Sequence, residues 1–441
     1  MADLQKEVVA MKKESLGQRL KTYAIENVVT LIFVVICLFG AYYSGFGGPQ
    51  ILQEIIVRVG RNGFLVLALI IPILAGMGLN FGIVIGAMAG QIAIIAVAHW
   101  ANLGNEIFTG FTGLLITVLI STPIAMLFGW MSGVMMNKTK GQEMITSLIM
   151  GFFANGVYQF LFLFLCGTLI PIKDPIIMLA AGIGVKNTID LKDNIKYSLD
   201  HSMDWMNDMG VYFYLFNVLL MFFAVVLLYN LYKLVRTKMK KGELNRKALI
   251  WTGISIAVIA YSAVASGTSD YRMIKVPVPT FLVIAAMCIF NVVIMKTKLG
   301  QEFRTIGQDM HIAKVAGLDV NGLRVKAIVI STVLAAWGQL IFLQNLGTLN
   351  TYGSHESIAM FSAAALLVGG ASVTKATWQQ ALLGVVLFHT LFYVSPYAGK
   401  NLLGDTQVGE FFRVFVAYGV ICLSLALYAW KKYMEKAREV R

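Results

Sequence analysis

Charge is scarce in this chain. Aspartate, glutamate, lysine and arginine supply 13% of its 441 residues against 58% hydrophobic ones, with a mean hydropathy of +0.74. That is more apolar surface than one soluble core can hide, which excludes an ordinary soluble domain. Cysteine is rare too: Cys37, Cys166, Cys288 and Cys422 stand singly inside apolar runs, with no CxxC spacing, which argues against a disulfide framework or a zinc site. The five histidines, His99, His201, His311, His355 and His389, form no HxxxH or HxxE, and neither GxSxG nor GxxxxGK[ST] occurs. An enzyme would lack its reactive constellation, and the chain lacks an ATP site of its own. Carboxylates are missing from the apolar runs except near their ends, at Glu143, Asp270, Glu302 and Glu410. A proton- or sodium-coupled carrier needs such groups at membrane depth, so energy is expected to come from a partner.

What fills the chain instead is hydrocarbon-length sequence. Apolar runs cover 27–43, 63–79, 80–99, 107–136, 144–169, 211–232, 248–266, 280–295, 327–345, 359–373, 376–394 and 411–430. A helix needs about 20 residues to cross the bilayer, and these runs are continuously apolar instead of alternating. The expected fold class is an all-α integral membrane protein, a polytopic bundle of about 10–12 helices. Two tight pairs, 63–99 and 359–394, are interrupted by small residues, Gly76-Met77-Gly78 and Gly369-Gly370-Ala371-Ser372, and read as broken or re-entrant.

Lysine and arginine set the orientation. Segments 1–26, 137–143, 233–247, 296–326 and 431–441 hold 25 of the 36, whereas 44–62, 170–210, 267–279 and 395–410 hold 9. By the positive-inside rule both termini and the 296–326 loop face the cytoplasm, and 170–210 lies outside. The net charge of +13 is thus a topology signal that also favours anionic lipid, and its scatter gives no reason to invoke nucleic acid. Three parts follow: residues 1–26, amphipathic or simply a charged tail; a membrane domain 27–430; and the basic tail 431–441. The outer segment 170–210 carries six aspartates, which read either as a docking surface or as a solvated acidic loop. Ile51–Val59, with Glu54 and Arg58 four apart, reads as an outer amphipathic helix lying on the membrane.

Polar residues inside apolar runs mark candidate pathway positions, because a buried amide without a partner costs several kcal/mol. Asn80, Gln91, Asn155, Gln159, Gln339, Gln344 and His389 qualify, with Asn80 foremost because flanking glycines free backbone groups there. Interhelical hydrogen bonding is the competing reading for the rest. Gly82, Gly86 and Gly90, four apart, read first as a packing face.

The loop Lys296–Lys326 is expected to be helical over Glu302–Val315 and to break at Gly317. Its order G-x-x-x-x-x-A-x-x-x-G-[ILV]-x-V, met at Gly307, Ala313, Gly317, Leu318 and Val320, resembles the ATPase-contacting loop of ABC-importer permeases. The similarity runs on through Ala363–Ser372, which resembles the V-V-x-G-G-x-S segment of the branched-chain amino acid, simple-sugar and nucleoside permease superfamily. Gly78-Leu79-Asn80-Phe81-Gly82 with Gly86-Ala87 resembles that superfamily's G-x-N-x-G stretch in its nucleoside-type form. Val84 stands where nucleoside-type members carry an acidic residue, and Val373–Thr377 replaces the glycine-rich turn of sugar-type members.

The resemblance implies a type II importer-like, non-catalytic transmembrane subunit in the plasma (inner) membrane, paired with a second copy or a paralogue. Two cytosolic ATPases and an extracytoplasmic binding protein would be its other partners, and no cofactor is expected. Gly307, Gln308, Asp309, Ala313, Gly317 and Leu318 would couple it to the ATPases, with Asn80, Gln91, Asn155, Gln339 and His389 as pathway candidates. The expected solute is small and polar, such as a nucleoside or simple sugar. Alternatives are another ring-bearing nutrient, such as a riboflavin-like vitamin, or an ion-coupled secondary transporter.

Overall fold

Inside hydrocarbon no water satisfies a backbone N–H or C=O, so apolar runs of this length must coil into helices. A computed structural model describes residues 27–139, 141–172, 174–192, 194–241 and 246–439. In chain order its helices are α1 (Val28–Ser44), α2 (Gly48–Leu67), α3 (Ile70–Leu74), α4 (Ile83–Asn102), α5 (Gly110–Lys138), α6 (Glu143–Phe160), α7 (Leu215–Lys241) and α8 (Arg246–Thr268). There follow α9 (Val278–Ile294), α10 (Lys298–Gln308), α11 (Met310–Val315), α12 (Val320–Leu346), α13 (Ile358–Val368), α14 (Trp378–Leu403) and α15 (Thr406–Glu439). Among the described residues nine helical stretches are long and apolar enough to cross a membrane, with α2 and α3 counted as one. The pair α9 and α10, bent by 74°, makes a tenth, and α1 and α13 are shorter apolar helices. The protein is therefore an all-α, multi-pass membrane protein. Among the described residues one small ribbon, β1 (Thr188–Asp190) antiparallel to β2 (Thr348–Asn350), pins the 170–210 segment to the end of α12. The amphipathic reading of 1–26 falls outside the described residues, as do 242–245 of the basic run and 440–441 of the basic tail.

Core and periphery separate by burial. About two thirds or more of the most apolar window is buried in α2–α3, α4, α12 and α14, against 6% in α7. Small residues bring the central helices together. A Cβ on Gly86 would lie 2.3 Å from the Thr332 carbonyl oxygen, and one on Gly90 2.9 Å from that of Ala336, so α4 and α12 touch backbone to backbone. Around this centre Leu119, Phe153, Leu228 and Phe415 are each at least two thirds exposed. In a soluble protein such a surface would drive aggregation, and here it suits lipid.

Three sequence expectations need correction. Ile51–Val59 is no separate surface helix but the first half of α2, which runs on to Leu67. Glu54 and Arg58 pair within one turn at 3.1 Å, and Arg61 finds Asn345, so the polar residues do not stop the helix. The 302–315 stretch is two helices, because Asp309 leaves α10 in extended conformation and caps α11 by accepting from the His311 and Ile312 N–H groups. The following span begins at Val320 instead of 327. Asp319 caps it through Gly322 N–H, and the charge of Arg324 is matched inside the protein by Glu143.

Candidate functional site

The α10–α11 hairpin is fastened to the bundle by glycine. Gly307 lies so close to the end of α3 that an added Cβ would sit 2.2 Å from the Leu74 carbonyl oxygen. Gly76 faces it in the left-handed region at φ 73°. Phe303, Ile306 and Ala313 are buried beneath the hairpin, while Met310, Ile312 and Val315 face outward, Val315 at 77% exposure. Gln308, Asp309 and Gly317 are exposed and Leu318 is half-buried. Gly317 holds φ 79° with no atom within 4 Å of its missing Cβ, so backbone freedom alone requires glycine there. One face of the hairpin thus grips the membrane domain and the other presents apolar side chains outside it.

Behind the hairpin lies an ion pair that sequence reading passed over. Arg324, fully buried near the start of α12, donates through Nη2 to Oε1 of Glu143 at the start of α6 and through Nη1 to Met310 Sδ at 3.6 Å. Three elements, α6, α11 and α12, meet at this guanidinium. The signal available beforehand was a single arginine and a single glutamate at opposite run ends, with nothing to say they would meet.

Three pathway candidates converge. Gln91 of α4, Asn155 of α6 and Gln339 of α12 gather around the 351–357 turn. Gln91 Oε1 lies 2.8 Å from His355 Nδ1, Asn155 Oδ1 lies 2.8 Å from His355 Nε2, and Gln339 Nε2 reaches the Ser354 carbonyl at 3.4 Å. Tyr158 donates to the Gln91 amide at 2.9 Å, and Asn155 Nδ2 donates to Glu356 at 3.0 Å. Burial pushes the His355 imidazole down to about 4, so it is neutral near pH 7. A neutral ring donates through one nitrogen only. Because Glu356 holds the Asn155 oxygen toward the ring, Nε2 is the donor and Nδ1 carries no hydrogen. His355 and Glu356 were missed as site residues because they stand in a short polar interval before α13 instead of inside an apolar run.

The other two candidates lie apart from this cluster. Asn80 is 1% exposed, accepting from Gly82 N–H at 2.9 Å and donating to Ser331 at 3.4 Å, so it ties the unwound 75–82 segment to α12. His389 sits within α14, edge-on to Phe388 at 5.4 Å and Phe392 at 6.2 Å. Gln159 donates to Asn155 at 3.4 Å, and Gln344 Oε1 takes the Leu199 N–H at 3.3 Å. The aspartates of 170–210 are partly structural: Asp174 accepts from Asn102 at 2.8 Å and lies 3.5 Å from His99. Among the described residues no group of three or more potential metal ligands occurs.

The fold is thus a multi-pass helical bundle with one hairpin held against it and an exposed apolar face on that hairpin. The family described as branched-chain amino acid transport system, permease component, matches residues 206–425, which include the hairpin and α12 to α14. Over 157 residues the chain is 27% identical to the xylose transport system permease protein of Haemophilus influenzae, covering 36% of this chain and 40% of that one. Over 154 residues it is 28% identical to the ribose import permease protein of Bacillus subtilis, covering 34% and 45% respectively. These matches span less than half the length of either relative. No solved structure matches. The chain belongs to the superfamily of branched-chain amino acid and sugar permeases.

Proposed function

We propose that the chain is the non-catalytic transmembrane subunit of an ATP-binding cassette importer for a small polar solute, a simple sugar before a nucleoside. The observation that carries this reading is the hairpin, in which Gly307 sets the backbone against Leu74 while Met310, Ile312 and Val315 stand exposed. Exposed apolar side chains on a mixed-charge loop suit a protein partner better than lipid or water. The partner proposed is a pair of cytosolic ATPases. Their closure would push on α11, and the Arg324–Glu143 pair would pass the displacement to α12 and α6 as packed elements move between two arrangements. Termini and hairpin are assigned to the cytoplasmic side of the plasma membrane, and 170–210 to the outside, where a binding protein would deliver solute. The pathway residues proposed are Gln91, Asn155 and Gln339 around His355. Asn80 and His389 are kept as helix-joining polar groups near the route. Phe153 and Phe160, seven residues apart on one face of α6 and away from Asn155, stand exposed, which suits contact with a second permease subunit.

Reconstitution into vesicles tests this reading. With its ATPase and binding protein the subunit is expected to accumulate ribose or xylose only when ATP is supplied, and Ile312→Glu is expected to abolish uptake while leaving the bundle folded. Accumulation by the subunit alone, driven by an ion gradient, would point to a secondary transporter. Uptake of adenosine or riboflavin without sugar would move the substrate to the alternatives.

A further inference from the structure

A polar cavity lies at the far end of the bundle from the hairpin, apart from the His355 cluster. It is a half-open space of about 500 Å³ between α2, the end of α12 and the 197–214 and 275–277 segments. Its polar groups form one chain. Arg61 Nε donates to Asn345 Oδ1 at 2.8 Å, and Asn345 Nδ2 donates to Asp200 Oδ2 at 2.7 Å, while Thr280 donates to Asp200 Oδ1. A buried amide thus stands between guanidinium and carboxylate, and among the described residues Arg61 and Asp200 do not form a direct ion pair. A guanidinium has five N–H donors and a carboxylate about four acceptor positions, so both keep hydrogen-bonding capacity after these contacts. Tyr197, Tyr212 and Tyr214 also line the space, the last two with rings 28° from parallel. Tyr197 has φ 54°, a left-handed conformation rare for an aromatic residue. It is held there by its N–H on the Gln344 carbonyl at 2.8 Å. Such strain collects at ligand sites, where the surroundings over-determine it.

Adjacent donors and acceptors with balanced charge, set among aromatic faces, suit a neutral polyhydroxylated ring. Its vicinal hydroxyls can donate to Asp200 and accept from Arg61 while its C–H face lies on a tyrosine. We propose that this cavity is an entry site for a monosaccharide, with Asp200 and Arg61 binding hydroxyls, Asn345 positioning them and the tyrosines forming the platform. The proposal rests on the reading of the chain as a sugar-importer subunit. Asn345 is six residues beyond Gln339, about 9 Å along α12, so solute held here would stand close to the pathway cluster.

The test uses the full chain in detergent, with D-ribose and D-xylose as probes and L-leucine as a zwitterionic comparison, followed by ligand-observed NMR. Saturable pentose binding is expected, weakened about ten-fold or more by Asp200→Asn and by Arg61→Gln, the effect of losing a hydrogen bond to a charged group. If either variant is unfolded, Tyr212→Ala at the exposed rim is expected to weaken binding several-fold with an unchanged melting temperature. Absence of pentose binding by the folded wild type, unaltered binding in all folded variants, or preference for leucine would overturn the proposal. Uptake assays separate it from the wider reading. ATP-driven pentose uptake with the same KM in the variants would remove the site and keep the importer, whereas variant-sensitive binding without ATP-driven uptake would keep the site and remove the importer.

Discussion

Arg324 is the residue whose environment decides most. Its side chain is wholly buried against a half-charged neighbourhood made of Glu143 and a methionine sulfur. A buried pair gains little over a well-packed apolar replacement, yet removing one partner strands the other charge. Arg324→Ala is therefore expected to cost about 3–5 kcal/mol in thermal unfolding, and Arg324→Met combined with Glu143→Leu to recover most of that loss. Recovery of stability without recovery of uptake would mark the pair as a transmission element. His355 supplies a pH signature. Its folded value of about 4 lies below the ordinary imidazole value near 6.5, so the unfolded chain binds the proton more readily. The stabilisation from a neutral His355 is complete above about pH 6.5 and is lost as pH falls through about 4, on the order of 3 kcal/mol in all. Melting temperatures across that window should fall more steeply for wild type than for His355→Gln.

At the scale of elements, the hairpin separates attachment from presentation. Gly307→Val would drive a Cβ into the Leu74 carbonyl and should loosen the hairpin from α3, seen as faster hydrogen exchange over α10 and lost uptake. Gly317→Leu meets no atom, so its cost should be the left-handed penalty of about 1–2 kcal/mol, with a smaller effect on uptake than Gly307→Val. The glycine break at Gly317 was legible because glycine alone tolerates such a turn cheaply. The division at Asp309 was not, since an aspartate inside a helical pattern and an aspartate capping a new helix look alike until the chain direction changes. The continuity of α2 was hidden for a related reason: Glu54, Arg58 and Arg61 lower its hydropathy, and only Asn345, nearly three hundred residues on, explains how Arg61 is accommodated.

For the whole molecule, orientation is the property on which the proposed mechanism turns. In a variant lacking Cys37, Cys166, Cys288 and Cys422, a cysteine at Ile312 should react with an impermeant thiol reagent only after cells are opened. One at Asp208 should react from outside. The reverse pattern would invert the proposed route. The exposed apolar belt around α5, α6, α7 and α15 separates lipid-facing helices from the buried centre. The second subunit proposed to sit against α6 predicts that cross-linking through a cysteine placed at Phe153 should yield a dimer or a pair with a paralogue.

Membrane insertion, the all-α class and the glycine break at Gly317 were legible in the sequence itself. Hydrophobic length and backbone freedom are local properties, and each run must coil whatever surrounds it. What only the tertiary structure decided was partnership: Gln91, Asn155 and Gln339 meeting at His355, Arg324 meeting Glu143, and Arg61 joined through Asn345 to Asp200. A polar side chain in an apolar run announces only that it needs a partner. Which partner it finds depends on how helices far apart in the chain pack, and packing is set by many weak contacts acting at once.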